Sequence, residues 1–430
     1  MSNRKNFWKI SSFQILIMFR RGLFYSFLSI YLRYILGLSV TETTLFATLP
    51  MVINIVFQSF IWGNISDKFQ KRRTLIILGE FSAAAGTVLT WYFHRFYLGG
   101  QERTAGYIII IGLTVIEIFW SMSNLGWTAI ISDIFVAKTR AAVRGSLASI
   151  GGMGRILGVL FGGLAYDGLG IHPEGWGFES GLIFFVAAGI MTISSIPIFF
   201  LPEGGVRNKE DMQEEKKDKL LSPEERRRRT KLFILFIFAL AFINFGRNSI
   251  ATIKAQYFTL DEGMAFSSRM LSYIVNMHSL AIIILGPFVG KMVKRIREHW
   301  LLFGGGLIAF IHLLGFAFLK STPLIFFMNF LGGMAHVIIL ASSYAVASIM
   351  IPPSKRARLF AVYNATNFLS WGIAGTFITG PVADLLMKHG YASLQAYRCS
   401  FVVASFLTLI GLALIFVFNI KEKRIEKVRR

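Results

Sequence analysis

Apolar blocks of about 20 residues, each long enough for a helix to cross a bilayer, recur along the whole chain with short polar breaks between them. Twelve such blocks are predicted, at 10–36, 43–63, 74–98, 105–132, 144–168, 180–201, 232–258, 269–292, 299–320, 323–351, 358–386 and 395–419. None carries the period-two alternation of a barrel strand, which argues against an outer-membrane barrel. The pattern predicts an all-α membrane protein with twelve transmembrane helices.

Composition agrees: of 430 residues, 54% are hydrophobic and 42 are Phe, and the mean hydropathy is +0.58. A net charge of +22 in a soluble chain would suggest nucleic acid, but its placement argues otherwise. Of the 45 Lys and Arg, counting those at block ends with the adjacent loop, 33 fall in the two tails and alternate loops, 7 on the opposite side and 5 deep inside blocks. This positive-inside bias predicts a multi-pass protein of the plasma membrane with both termini cytoplasmic, its basic face against anionic headgroups. Cys399 is the single cysteine, and the histidines have no ligand spacing, so neither a disulfide within the chain nor a metal site is expected. No cleavable signal is expected, since the first block is too long and lacks a small-residue cleavage site. There is no GxxxxGK[ST] loop, and no nucleophile–base pair within the blocks. No cofactor is expected, nor an enzyme.

The blocks fall into two related halves. The first carries Phe19, Arg21 and Tyr31, and the seventh carries Phe245, Arg247 and Tyr257, all at one offset of 226 residues. The stretch from Gly63 to Arg73, a glycine, one acid and a basic cluster, has a partial echo beginning at Gly286. The expected organisation is a six-helix bundle at 1–201, a charged cytoplasmic linker with a short helix at 202–231, a second six-helix bundle at 232–420, and a basic tail at 421–430. Ser222, Pro223, Glu224 and Glu225 read as the start of the linker helix. Two pseudo-symmetric bundles place a ligand between the halves near the midplane.

These features resemble the major facilitator superfamily along essentially the whole chain. The most specific mark is its loop between helices 2 and 3, G-x-x-x-D-[RK]-x-G-[RK]-[RK]. Gly63, Asp67, Lys68, Lys71 and Arg72 match it, with Gln70 in place of the usual glycine. The resemblance also implies an acid at the cytoplasmic end of helix 4, which Asp133 fits. Gly63, Asp67, Lys71, Arg72 and Asp133 are accordingly expected to form a breakable latch, a carboxylate held among cations in one state of the transport cycle. Two departures count against the drug:proton antiporters of the family: helix 5 lacks their proline, and Met122 stands where helix 4 would carry an arginine. Gly151, Gly154, Gly158 and Gly162 are expected to serve close helix packing.

Five cations lie deep inside the blocks, away from their ends: Arg20, Arg21, Arg155, Arg247 and Lys254. Each would cost about 2.5–3.5 kcal/mol at a helix centre, roughly 15 kcal/mol together. They must face a wet cavity or pair with acids, and Glu80 and Glu117 are the two acids at comparable depth. The excess of positive charge predicts an anionic ligand. Arg21 and Arg247, at matching positions of helices 1 and 7, form the expected anion clamp, with Arg20, Arg155 and Lys254 as secondary cations. A similar pair of arginines is found in the organophosphate:phosphate antiporter branch, from which no substrate is transferred. Trp120, Asn248 and Trp371, together with Asn364 and Asn367, are expected to line the pocket. Glu80 and Glu117 are expected to serve as counter-ions or proton carriers, with His336 a weaker proton candidate.

The expected function is secondary transport of a small organic anion by alternating access, by a monomer, with protons a candidate coupling ion. Two alternatives stand beside it: a drug/proton efflux antiporter, and a non-transporting membrane receptor or scaffold.

Overall fold

The computed structural model describes residues 2–69, 71–135, 137–203, 223–351 and 356–429. Among them are twelve helices long and apolar enough to cross a membrane. In chain order, spans 1 to 6 are Arg4–Ile35, Val40–Ser66, Arg72–Tyr97, Glu102–Ile131, Ser146–Tyr166 and Leu182–Phe199. Spans 7 to 12 are Arg227–Thr259, Ser268–Val293, Glu298–Phe318, Thr322–Met350, Val362–Lys388 and Ser393–Lys421.

Local chemistry explains several ends. Span 2 starts at a capping box in which the Ser39 hydroxyl accepts from the Glu42 N–H and the Glu42 carboxylate accepts from the Ser39 N–H. Span 6 starts after Gly181, whose φ of 87° few side-chain-bearing residues adopt. Span 3 is capped from afar. The Glu203 carboxylate accepts from the Thr74 N–H at 3.0 Å, and its backbone oxygen accepts from the N–H groups of Arg72 and Arg73. A carboxylate at a helix N-terminus satisfies orphan donors and matches the helix dipole.

Where the elements differ from the expected ones, helices have run on into polar sequence. The predicted loop from Gly63 is helical over Gly63–Phe69, following a π-helical segment at Phe57–Trp62. The echo from Gly286 lies wholly within the helix Ser268–Arg295 until its last residues. The helix beginning at Pro223 does not end as a separate linker element but continues to Ser249. Ser222 and the rest of 204–222 lie outside the described residues. The last helix likewise continues through the basic tail to Arg429. Polar side chains at a helix end are solvated wherever they emerge from the apolar layer, so hydropathy marks that layer rather than the end of the helix.

Span 7 is interrupted. Its helix stops at Ser249, turns through 250–253, and resumes as Lys254–Thr259. By contact the chain forms two compact units, one of residues 1–207 with 252–283, the other of 208–251 with 284–430, so the boundary falls at this interruption.

In the first unit, span 5 packs on span 1 backbone to backbone. A Cβ on Gly158 would overlap the Phe19 carbonyl, and one on Gly154 would overlap that of Ile15. An aromatic cluster of Phe24, Tyr31, Phe178 and Phe184 fills the space beside span 6. Residues 252–283 are held to this unit by polar contacts: Tyr34 donates to the Gln256 carbonyl, the Gln256 amide to Thr43, and Ser268 to Asp167 at 2.6 Å. In the second unit the core gathers Phe236, Leu240, Ile243, Leu302, Ile339 and Phe418 from spans 7, 9, 10 and 12. On the outside, large apolar side chains such as Phe60, Phe96 and Phe377 are exposed, the surface that lipid covers.

Candidate functional site

The intramembrane charges collect in two groups, one in each unit. The first is organised by Trp120. Glu117, Trp120 and Asn124 recur at helical spacing on one side of span 4. At the same level Gly79 lets span 3 approach closely, since a Cβ there would stand 2.7 Å from the Phe119 carbonyl oxygen. This approach brings Glu80 to span 4, where one carboxylate oxygen accepts from Ser123 at 2.6 Å and from the Trp120 indole N–H at 3.2 Å. The face of the same indole carries both arginines of span 1, with the Arg20 and Arg21 guanidinium carbons 3.7 and 4.6 Å from the ring centre. Trp120 therefore joins the buried acid to the two cations. Glu117 is held separately, accepting from the Asn54 amide of span 2.

Arg20 and Arg21 thus share one aromatic platform. Arg20 is 3% exposed, yet its Nε and Nη2 have no hydrogen-bond partner, and neither has the second oxygen of Glu80. Arg21 is half-buried. Gly22 fixes its company: a Cβ there would meet the Arg155 carbonyl and the Val159 amide, so span 1 lies directly against span 5 at this depth. Arg155 is likewise half-buried, and Lys254 of the short helix after the interruption belongs to the same unit and is coupled electrostatically to Arg155. The first unit thus holds four of the five cations and both acids. The turn at 250–253 separates Lys254 from the helix that carries Arg247.

The second group centres on Arg247, in the last turn of the long helix of span 7. Its Nε donates to the Asn244 side-chain oxygen at 3.0 Å and its Nη2 to that of Asn367 at 3.1 Å. Its Nη1 donates to Nδ1 of His336 in span 10 at 2.9 Å. Asn244 is itself steadied by Thr366, which accepts from its amide. Three neutral acceptors therefore hold the guanidinium. Asn248 is 4% exposed and donates to Ser370, tying span 7 to span 11. Trp371, half-buried one turn beyond Asn367, makes none of the Arg247 hydrogen bonds; Asn364 is exposed.

Of the latch residues, Gly63 opens the short helix Gly63–Phe69 and Lys71 is exposed beside Arg72. Arg72 is 8% exposed and donates to both the backbone oxygen and the hydroxyl of Ser66. The side chains of Asp67 and Asp133 lie outside the described residues. Glu203, absent from the expected site, forms an ion pair with Arg73 at 3.0 Å. The sequence signal for it was weak: one acid just past the first bundle, far along the chain from the helix start it caps.

The unexpected members of these groups are Asn54, Ser123 and Asn244. Single polar residues on apolar helices are legible as unusual, but nothing in the sequence says which acid or cation each one faces. Among the described residues no cluster of three metal-ligating side chains occurs.

The family model described as Major Facilitator Superfamily matches residues 10–257 and again 237–430. Among solved structures, a mutant of the nucleoside transporter NupG is similar with a TM-score of 0.72 and 12% identity, covering 96% of this chain and 99% of its own. A bacterial homologue of the human lysosomal transporter Spinster, inward-facing and unoccupied, has a TM-score of 0.66 and 16% identity, with 97% and 96% covered. A peptide transporter POT mutant in complex with alafosfalin has a TM-score of 0.67 and 15% identity, with 96% and 95% covered. Among curated proteins, none matches the sequence.

Proposed function

The chain belongs to the major facilitator superfamily, a family of transporters rather than enzymes, and from that premise we propose that it moves a small organic anion across the plasma membrane by alternating access. One observation carries the anion: half-buried Arg247, in the last turn of the long helix of span 7, is held by hydrogen bonds to Asn244, His336 and Asn367, and among the described residues none runs to a carboxylate. Neutral dipoles solvate a guanidinium but do not neutralise it, and a charge withdrawn from water without an opposite partner is costly. An anion supplies that partner, and guanidinium binds carboxylate or phosphate through two parallel bonds. The first unit has the same bias, with Arg20, Arg21, Arg155 and Lys254 set against Glu80 and Glu117.

In this reading Arg21 and Arg247 are the anion-binding arginines and Arg155 and Lys254 extend the positive surface. Trp120 holds Arg20 and Arg21 in place, and Glu80 and Glu117 balance charge or carry protons. Gly63, Asp67, Lys71, Arg72 and Asp133 form the latch that biases one state of the cycle, with both termini cytoplasmic and the protein working as a monomer.

The test is uptake of labelled sulfate, benzoate and malonate into proteoliposomes. Arg247→Gln is expected to abolish uptake of the transported anion while eluting from gel filtration as the wild type does. Uptake at the wild-type rate refutes the assignment of Arg247. Competition by cationic dyes and not by anions would identify a drug exporter, and the absence of flux for any solute would leave a receptor or scaffold.

A further inference from the structure

Arg20 is the most buried of the five intramembrane cations, 3% exposed, and its Nε and Nη2 have no hydrogen-bond partner. It lies on the face of Trp120, a contact that attracts the charge but offers no lone pair to the N–H donors. Glu80, the acid of that cluster, gives one oxygen to Ser123 and the Trp120 indole and makes no hydrogen bond with Arg20. Buried donors are nearly always satisfied, and an orphan marks a place where a water or an ion belongs. Arg20 also lines a small cavity inside the first unit, with room for one water-sized particle. Spans 1, 3, 4 and 6 build the wall. Phe24, Leu113, Ile116 and Met191 make it apolar, and Tyr25 and Thr87 bring the other polar side chains. The Thr87 hydroxyl donates to the Ala83 carbonyl at 2.8 Å, so Tyr25 is the other side-chain donor of the wall.

We propose that this cavity is a resident site for one monatomic anion, chloride in the cell, held by Nε and Nη2 of Arg20 and by the Tyr25 hydroxyl. A water placed here needs acceptors for its own two hydrogens, and among the side chains of the wall only Thr87 and Tyr25 offer an oxygen; a halide needs none. Charge points the same way. In the first unit Arg20, Arg21, Arg155 and Lys254 stand against Glu80 and Glu117, so one halide lowers an imbalance rather than creating one. The size of the cavity excludes an organic anion. The site is therefore separate from that of the transported solute and does not rest on the reading of Arg247. By filling the space shared by spans 1, 3, 4 and 6, the ion ties the first unit together. It also satisfies the Arg20 guanidinium where it lies on Trp120, beside Arg21.

Two measurements on the full-length protein in detergent test this. In the first, the protein is melted in sodium gluconate, whose anion is too large for the cavity, while chloride or bromide replaces it at constant ionic strength. The melting temperature is expected to rise with halide and to saturate, and Arg20→Gln to remove the rise. Should Arg20→Gln fail to fold, Tyr25→Phe, which keeps the ring, takes its place; it is expected to weaken the apparent halide affinity about tenfold, the loss of one hydrogen bond to a charged group. Arg247→Gln should keep the full halide response. In the second, crystals grown in bromide are expected to show an anomalous peak within hydrogen-bonding reach of Arg20 Nε and Nη2. A melting temperature indifferent to halide, an undiminished response in Tyr25→Phe, or a water at Arg20 with bromide elsewhere each overturns the site. A peak at Arg20 without any halide-dependent melting is binding at crystal concentration only and overturns it equally. A response lost in Arg247→Gln would assign the halide to the solute site, which refutes this inference and leaves the anion reading standing.

Discussion

Replacing Trp120 with leucine removes three interactions at once, and their sizes follow from the geometry. A cation–π contact contributes about 0.5–1 kcal/mol at an exposed site and about 2 kcal/mol where water is excluded. Arg20, 3% exposed with its guanidinium carbon 3.7 Å from the ring centre, belongs near the upper figure, and half-buried Arg21 at 4.6 Å near the lower. The indole bond to Glu80 is long at 3.2 Å, and Ser123 keeps the same oxygen at 2.6 Å, so its loss is put at about 1 kcal/mol. Trp120→Leu is therefore expected to lose about 3.5 kcal/mol. Trp120→Phe loses the N–H but keeps an aromatic face, and about 2.5 kcal/mol is expected. Phenylalanine and leucine bury similar apolar area, so the gap of about 1 kcal/mol between them reports on the ring face. The assay is equilibrium unfolding in mixed dodecylmaltoside–SDS micelles, followed by circular dichroism. The gap should close when Arg20 and Arg21 are both changed to Gln, as a double-mutant cycle requires. Equal stabilities for the Phe and Leu variants within about 0.5 kcal/mol, or a gap that persists in the Arg20→Gln, Arg21→Gln background, refutes the platform.

Gly158→Val should destabilise the first unit by about 3 kcal/mol or prevent its accumulation, because the new side chain meets the Phe19 backbone, whereas Gly189→Ala, with open space around it, should be neutral or gain about 0.5 kcal/mol; thermal melts in detergent distinguish them. Glu203→Gln should lower stability by about 1 kcal/mol through the weakened cap of span 3, with little added by its part-exposed bond to Arg73, and Arg73→Gln alone should cost less; the reverse order in denaturant midpoints would overturn the cap. Glu174 lies outside the spans, and partial desolvation of its exposed side chain, with Asp167 and Asp261 nearby, raises its proton affinity above that of an ordinary carboxylate. A carboxyl raised on folding adds stability below its unfolded value and loses it as pH rises through the folded one. Glu174→Gln should therefore be the more stable protein at neutral pH, its advantage over wild type vanishing in mild acid; an advantage independent of pH would exclude the carboxyl as the cause.

Much of the fold was legible because the bilayer restricts the choices. A segment that must satisfy its own backbone in hydrocarbon is a helix, so twelve apolar blocks became twelve helices. The candidate site was legible only as an inventory of unusual residues: Arg20, Arg21, Arg155, Arg247, Lys254, Glu80 and Glu117 stand out because charge is rare at that depth. Their partnerships were not. Helical spacing sends Arg20 and Arg21 in different directions, yet long flexible side chains bring both onto Trp120. The interruption of span 7 also escaped notice, since no proline marks residues 250–253.

By itself the sequence determined the number of apolar spans and the excess of intramembrane cations, which depend only on side-chain transfer energies summed along the chain, and the relatedness of the two halves, which depends on matched residues at one offset. Tertiary structure alone decided that Glu80 meets Ser123 and Trp120, that Arg247 is held by neutral acceptors, and that Lys254 is grouped with Arg155. Those outcomes depend on how closely glycines such as Gly79 and Gly22 let neighbouring helices approach, and that distance is a property of packed pairs rather than of any one segment.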